Sequence, residues 1–168
     1  YVQAFRRRVH ELGIPAHPYI NQSNGGTMSV EEAARVPVRT ALSGPAAGVA
    51  GAAWIAAQAG FHAIATFDMG GTSTDVSVVE QGTPMRAAEK AYHGYPVKAA
   101  MLDVDSIGAG GGSLAWIDPG GFLRVGPQSA GADPGPAAYA RGGEKPTVTD
   151  ANLALGRLDP DYFLGGAM

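Results

Sequence analysis

Asp68-Met69-Gly70-Gly71-Thr72-Ser73-Thr74-Asp75 lies near the middle of this 168-residue chain, between two apolar runs. Before it, residues 63–67 (Ala-Ile-Ala-Thr-Phe) read as a buried strand, and after it Thr74 to Val79 reads as the returning strand. Residues 68–72 then form the turn of a β-hairpin, with Gly70 or Gly71 expected at positive φ. Adjacent glycines let the backbone turn sharply and leave its N–H groups unshielded by side chains. With the hydroxyls of Thr72 and Thr74 they form a donor cluster suited to phosphate oxygens. Asp68, at the end of a strand, suits a hydrated Mg²⁺, which takes a carboxylate and keeps several waters. The same spacing also fits a plain glycine hairpin whose turn is capped by Asp68 and Asp75. Spacing alone leaves both readings open.

Upstream, Ser43-Gly44-Pro45 opens the clearest helix, with Ser43 as its cap, Pro45 in the first turn and Gly60 as its stop. Ala46, Ala50, Ala53 and Ala57 share one face, so that face carries only methyl groups and can lie very close to a sheet or another helix. Further back, Val2, Phe5, Val9 and Leu12 predict a helix ending at Gly13, and Ser29 with Glu32 forms a capping box for a short helix ending near Arg35. Residues 18–21 and 38–42 read as short strands. Downstream, a strand is expected from Met85 to Lys90 and extended chain from Met101 to Ile107. Ser113 to Ile117 and Phe122 to Val125 form a hairpin around Pro119-Gly120-Gly121, and a short helix runs from Thr149 to Leu155, with Asp150 as its cap. Strands and helices interleaved with hairpins predict a mixed α/β sheet, and no repeat or composition break divides the chain into two domains.

Composition excludes several classes. The 25 glycines and 12 prolines are far above average usage, but the glycines are clustered and the net charge is only −3, so the chain is folded with many tight turns. The acidic balance argues against nucleic acid as a partner, and Arg6-Arg7-Arg8 points in three directions on a helix, as a solvated face. No apolar stretch approaches the roughly 18 residues of a membrane span. With no Cys there is no disulfide framework and no thiolate ligand or nucleophile, so a cytoplasmic location is expected. The chain begins with Tyr1 inside a helix and is expected to be a piece of a longer protein.

Gly108-Ala109-Gly110-Gly111-Gly112-Ser113 is the second candidate site. No Lys follows its last glycine, as a Walker loop requires, and a hairpin rather than a helix comes after it. It reads either as a backbone platform facing a nucleotide, through Gly110, Gly111, Gly112 and Ser113, or as a tight structural crossing. His10, His17, His62 and His93 have no metal-ligand spacing. Ser43 reads as a helix cap rather than a nucleophile, Asp103, Asp105 and Asp133 are scattered, and Trp54 and Trp116 read as packing residues.

The octet, Ser43-Gly44-Pro45-Ala46-Ala47-Gly48 ahead of it, and the blocks Ser23-Asn24-Gly25-Gly26, Gly108 to Ser113, Gly126-Pro127-Gln128-Ser129-Ala130-Gly131, Asp133-Pro134-Gly135-Pro136 and Thr147-Val148-Thr149-Asp150-Ala151-Asn152 carry a resemblance. The octet resembles the phosphate-gripping hairpin of the actin, Hsp70 and sugar-kinase ATPases. The blocks, in order, are similar to the hydantoinase A/oxoprolinase family within that superfamily. Two positions depart from it: family members often have His where Asp105 stands and Cys where Ala138 stands. The resemblance implies a ribonuclease-H-like α/β lobe, residues 1–168 being the second nucleotide-gripping lobe of a larger subunit. ATP and Mg²⁺ are the implied cofactors, with Asp68, Gly70, Gly71, Thr72, Thr74 and residues 110–113 in contact and Asp68 on the metal. The implied activity is ATP-dependent opening of a cyclic amide of the hydantoin or 5-oxoproline type. The implied partners are an N-terminal lobe of the same chain carrying the first such hairpin, a hydantoinase B-type companion subunit and a small-molecule substrate. Alternatives are a ketone carboxylase of the same family, a non-catalytic Hsp70/actin-like nucleotide-binding lobe, and a sugar-kinase-like phosphotransferase.

Overall fold

The computed structural model describes residues 1–92 and 94–162, so His93 lies outside the described residues. Contacts divide the chain into two compact units, one of Tyr1–Thr66 with Val76–Asp105, the other of residues 67–75 with the chain from Ser106 onward.

The first unit begins with α1 (Val2–Glu11), closed by Leu12 and by Gly13 at φ 70°. The strands β1 (Tyr19–Asn21) and β2 (Thr27–Ser29) pair antiparallel with Ile20 opposite Met28. Next comes α2 (Val30–Arg35), whose first turn is held by the Ser29 hydroxyl accepting from the Glu32 N–H. The Glu32 carboxylate reaches Arg35 and Arg39. Residues 38–42, expected as a strand, instead belong to a 3-10 turn at Pro37–Thr40. The ring of Pro37 presets a helical φ, Thr40 donates its hydroxyl proton to the Pro37 carbonyl, and the Arg39 carbonyl is taken by Ser23 N–H.

The Ala-rich helix α3 spans Ser43–Gln58, but its cap is Leu42 at φ 56°, so Ser43 is its first helical residue and not its cap. Its core face is Ala46, Val49 and Ala53, packed with Val79, Leu102 and Val104 and with Ile64 alongside. Methyl-sized side chains let the backbone of residues 23–26 come close. A Cβ on Gly25 would meet Leu102 Cδ1 at 3.1 Å and Ala50 Cβ at 3.5 Å. The outer face carries Trp54, 67% exposed, which is therefore not the packing residue that its type suggested.

The chain leaves this unit along β3 (Ile64–Met69) and returns along β4 (Thr74–Glu80), the two halves of the expected hairpin. Burial of β3 is the part of the expectation that fails: Ala65, Phe67 and Met69 are exposed, because β3 ends the strand order and only Ile64 reaches the core. Gln81 and Gly82, at φ 51° and 73°, make the two-residue turn of a hairpin to β5 (Thr83–Pro84). The single strand expected over residues 85–90 is broken. β6 (Arg86–Ala87) pairs with β9 (Met101–Leu102), whereas β7 (Lys90–Tyr92) pairs with β8 (Tyr95–Val97), and one straight strand cannot serve both partners. β10 (Val104–Ile107) lies beside β4, completing a sheet in the order β10-β4-β3 with β5 on β4.

In the second unit, β11 (Ser113–Ile117) and β12 (Leu123–Ser129) form the expected hairpin, with a bulge between Ser113 and Ala115. The Asp118 carboxylate binds the N–H groups of Gly120 and Phe122 and the Arg124 side chain, which fixes the turn. Trp116, 40% exposed, donates its indole N–H to the Gly126 carbonyl. α4 (Val148–Ala154) starts with a full capping box: Thr147 is the cap and Asp150, three residues on, reaches back to it. Among the described residues no helix is long and apolar enough to cross a membrane.

Candidate functional site

The connection between β3 and β4 is four residues long, Gly70 to Ser73, and is closed by the Gly70 N–H donating to the Ser73 carbonyl at 2.9 Å. Neither Gly70 nor Gly71 has positive φ, against expectation. The four-residue span and its closing bond make the turn without a left-handed residue. Space does not require glycine either. A Cβ on Gly70 would lie 3.6 Å from the Ser73 carbonyl, an ordinary contact, and one on Gly71 would meet nothing within 4 Å. Two glycines that neither conformation nor packing demands lie in an exposed turn. Glycine at such positions leaves the backbone open to close approach by another group.

The glycine-rich loop lies directly behind this turn. Gly111 N–H donates to the Gly70 carbonyl at 2.9 Å and Gly112 N–H to the Gly71 carbonyl at 2.7 Å. A Cβ on Gly110 would sit 2.7 Å from Gly70 O, Thr72 N and Ser73 N, and one on Gly112 would sit 2.9 Å from Gly71 O. Here glycine is obligatory, because backbone packs on backbone. The N–H groups of this loop are consequently spent inside the protein: Gly110 on the Ser113 hydroxyl, Gly111 and Gly112 on the turn, Ser113 on the Gly110 carbonyl. The platform of free donors expected at residues 110–113 is therefore a brace, and Ser113 is fully buried.

Thr74 shares that fate. It is buried and its hydroxyl donates to the Ala109 carbonyl, so its proton ties hairpin to loop and is not offered outward. What stays open is the Asp68 carboxylate, the Thr72 hydroxyl and the amide N–H groups of Gly71 and Thr72. These groups have no partner among the described residues, and Asp68, Gly71 and Thr72 are exposed residues. Asp75 accepts from the Ser106 hydroxyl, so of the two acids that frame the octet one is occupied and one free. Among the described residues no three His, Asp or Glu side chains converge as a metal cage. A lone exposed carboxylate beside free amide donors suits a hydrated Mg²⁺ carried in on a phosphate better than a protein-only site. The residues present thus fit one side of an Mg-nucleotide phosphate site.

The support beneath the loop was missed in the sequence. The Gly111 carbonyl accepts from both the N–H and the hydroxyl of Thr149, at 2.8 and 2.9 Å. Asp150, read as a simple helix cap, also accepts from the Ala138 N–H at 2.7 Å and the Thr147 hydroxyl at 2.7 Å. Burial opposes the charge on Asp150, but the donors from Thr147 and Ala138 outweigh it and hold the carboxyl below its ordinary pKa. No signal short of the fold pairs residue 149 with residue 111.

Of the two departing positions, Asp105 pairs with Lys90, which also binds Asp103 and the Val104 carbonyl. Burial would lower the Lys90 pKa, but the two carboxylates overcome it and raise it. Ala138 gives its N–H to Asp150.

The Hydantoinase/oxoprolinase family profile matches residues 1–168. The alpha subunit of caprolactamase from Pseudomonas jessenii is 39% identical over 168 residues, covering all of this chain and 24% of that protein. The 5-oxoprolinase of Saccharomyces cerevisiae is 44% identical over 149 residues, covering 88% of this chain and 11% of the enzyme. A nucleotide-free structure of acetone carboxylase, from work on ATP-dependent acetone carboxylation, superposes with a TM-score of 0.82 at 34% identity, covering 99% of this chain and 23% of that one. The chain spans a quarter or less of the length of the relatives it matches. The mixed α/β fold class of the actin/Hsp70 ATPase type, expected from the octet, stands. The chain belongs to the hydantoinase/oxoprolinase family.

Proposed function

We propose that this chain is the second nucleotide-gripping part of an ATP-dependent enzyme subunit that opens a cyclic amide. The observation that carries the proposal is the turn at residues 70–73: two glycines with no structural need, two free amide N–H groups and the free Asp68 carboxylate. Gly70, Gly71 and Thr72 would lie against the phosphates and Asp68 would hold the hydrated Mg²⁺. Thr74, Gly110, Gly111, Gly112 and Ser113 would serve by fixing that turn. ATP, when bound, supplies a phosphoryl group that activates the amide oxygen for ring opening. The first Asp-x-Gly-Gly-Thr hairpin would come from the remainder of the full-length chain, with a hydantoinase B-type companion subunit in the cytoplasm. The similarity to a caprolactamase and a 5-oxoprolinase, both named for cyclic amides, supports this substrate class.

A second reading has its own support in the TM-score of 0.82 to acetone carboxylase: ATP-dependent carboxylation of a ketone. One assay separates the two. The full-length protein with its companion subunit is given Mg-ATP and, in turn, hydantoin, 5-oxoproline, caprolactam, or acetone with bicarbonate, and phosphate release is followed. Release stimulated by a cyclic amide is expected. Stimulation only by the ketone with bicarbonate would replace the first reading with the second, and stimulation by none would favour a non-catalytic lobe.

A further inference from the structure

The free N–H groups of Gly71 and Thr72 share their peptide groups with two carbonyls that are both occupied. The Gly70 carbonyl accepts from Gly111 N–H and the Gly71 carbonyl from Gly112 N–H. One peptide further back, the carbonyl that shares its peptide with Gly112 N–H is that of Gly111, and it accepts twice from Thr149, at 2.8 Å from the N–H and 2.9 Å from the hydroxyl. The carbonyl paired with Gly111 N–H is that of Gly110, which accepts from Ser113 N–H at 3.0 Å. Each free amide thus ends a chain of hydrogen-bonded peptide groups. Bonds in such a chain polarise one another, by roughly 10–30% per bond, and the effect is greatest away from water. Thr149 is 7% exposed, so its hydroxyl acts in that interior.

We propose that Thr149 is a positioning residue for the turn. Through the Gly111–Gly112 and Gly71–Thr72 peptide groups its hydroxyl orients and polarises the Thr72 N–H, making it a stronger donor to an anion. The identity of that anion as a nucleotide phosphate rests on the reading given above; the relay itself does not. The hydroxyl matters beyond packing because it is the second donor on a carbonyl that the backbone of α4 already binds.

The test uses the full-length protein as wild type, T149V and T149S, each labelled with ¹⁵N-threonine and free of nucleotide. The Thr72 amide resonance is identified by its loss in T72S. An upfield move of the Thr72 amide proton in T149V, with T149S at the wild-type position, is expected. Were T149V not to fold, T149A removes the same hydroxyl without setting a methyl against Gly111. No move on loss of the hydroxyl, or equal moves in the hydroxyl-bearing and hydroxyl-free variants, would overturn the relay. Calorimetry with Mg-ADP is the second readout: the dissociation constant should rise about three- to tenfold in T149V and stay within about twofold in T149S. A moved resonance with unchanged Mg-ADP affinity would uphold the relay and overturn the nucleotide reading of the turn instead.

Discussion

The two units of this chain build their interiors from different material. In the first, most buried side chains are apolar, Met28, Val30, Ala46, Val49, Leu102 and Val104 among them, with Ser23 and Ser77 buried beside them. In the second, the buried positions include Gly110, Gly112, Ser113, Pro136, Thr147 and Thr149, while Phe67, Ile117, Phe122 and Leu123 are exposed. The second interior is peptide backbone and short hydroxyls held by hydrogen bonds. The contrast sharpens within that unit, where two glycine runs look alike in sequence. At Gly110 and Gly112 glycine is enforced by backbone on the far side, at Gly111 by the Thr149 side chain, and the N–H groups are consumed. At Gly70 and Gly71 nothing enforces glycine, and the N–H groups of Gly71 and Thr72 stay open. A glycine run therefore does not by itself mark a ligand cradle; the fate of its amides does.

Substituting the packed run should give the largest effect. Gly110→Ala places a methyl 2.7 Å from three backbone atoms of the turn, which cannot swing aside as a side chain can. A destabilisation of about 3 kcal/mol is expected, at the upper end for overpacking, read as lost folded yield or a lowered melting temperature of the full-length protein. A wild-type melting temperature would show that residue 110 does not need to be glycine.

Next in size is the support beneath the loop. Asp150→Asn should cost roughly 1–2 kcal/mol near neutral pH, through weakened charge-assisted bonds to the Ala138 N–H and to the N–H and hydroxyl of Thr147. The sign with pH follows from the direction of the shift. Asp150 is held below its ordinary value in the folded state, so its contribution is complete above the unfolded pKa of about 3.9 and fades as pH falls through the lower folded value. Denaturation of wild type and variant should therefore differ at pH 7 and converge as pH falls below the lowered folded value. A constant gap across that range would remove Asp150's charge from the account.

The smallest effect on stability belongs to the open run. Gly71→Ala adds a methyl into free space at an ordinary φ, so stability should change by no more than about 0.5 kcal/mol. Mg-ATP affinity should nonetheless fall by about tenfold, because the methyl stands where the backbone is to be approached. Loss of stability without loss of affinity would place Gly71 with the packed run.

What was legible in the sequence follows the same division. Local and periodic signals carried the helices at Val2–Glu11 and Ser43–Gln58, the hairpin around Pro119 to Gly121, and the strand–turn–strand of the octet. Residues 38–42 misled because their β-branched residues suggested a strand, while Pro37 and the Thr40 hydroxyl closed a 3-10 turn. Leu42 took the cap from Ser43 by a left-handed backbone that no propensity predicts. At the site, Asp68 and the glycine turn were legible because their chemistry is local. The brace was not, because it joins residue 70 to 111 and 111 to 149. Such long-range backbone bonds leave only glycine in the sequence, and glycine has several uses.

Asp68→Asn in the full-length protein is the most direct test of the central claim, that this hairpin faces an Mg-nucleotide. Asp68 is exposed and without a partner among the described residues, so the variant should melt within about 0.5 kcal/mol of wild type. Asn keeps the shape and removes the charge proposed to hold hydrated Mg²⁺. Substrate-stimulated ATP turnover should fall on the order of 10²–10³-fold, the scale of losing one preorganised electrostatic group at a reacting centre. Wild-type turnover by a folded Asp68→Asn protein would contradict the claim and take the 68–75 hairpin out of the site.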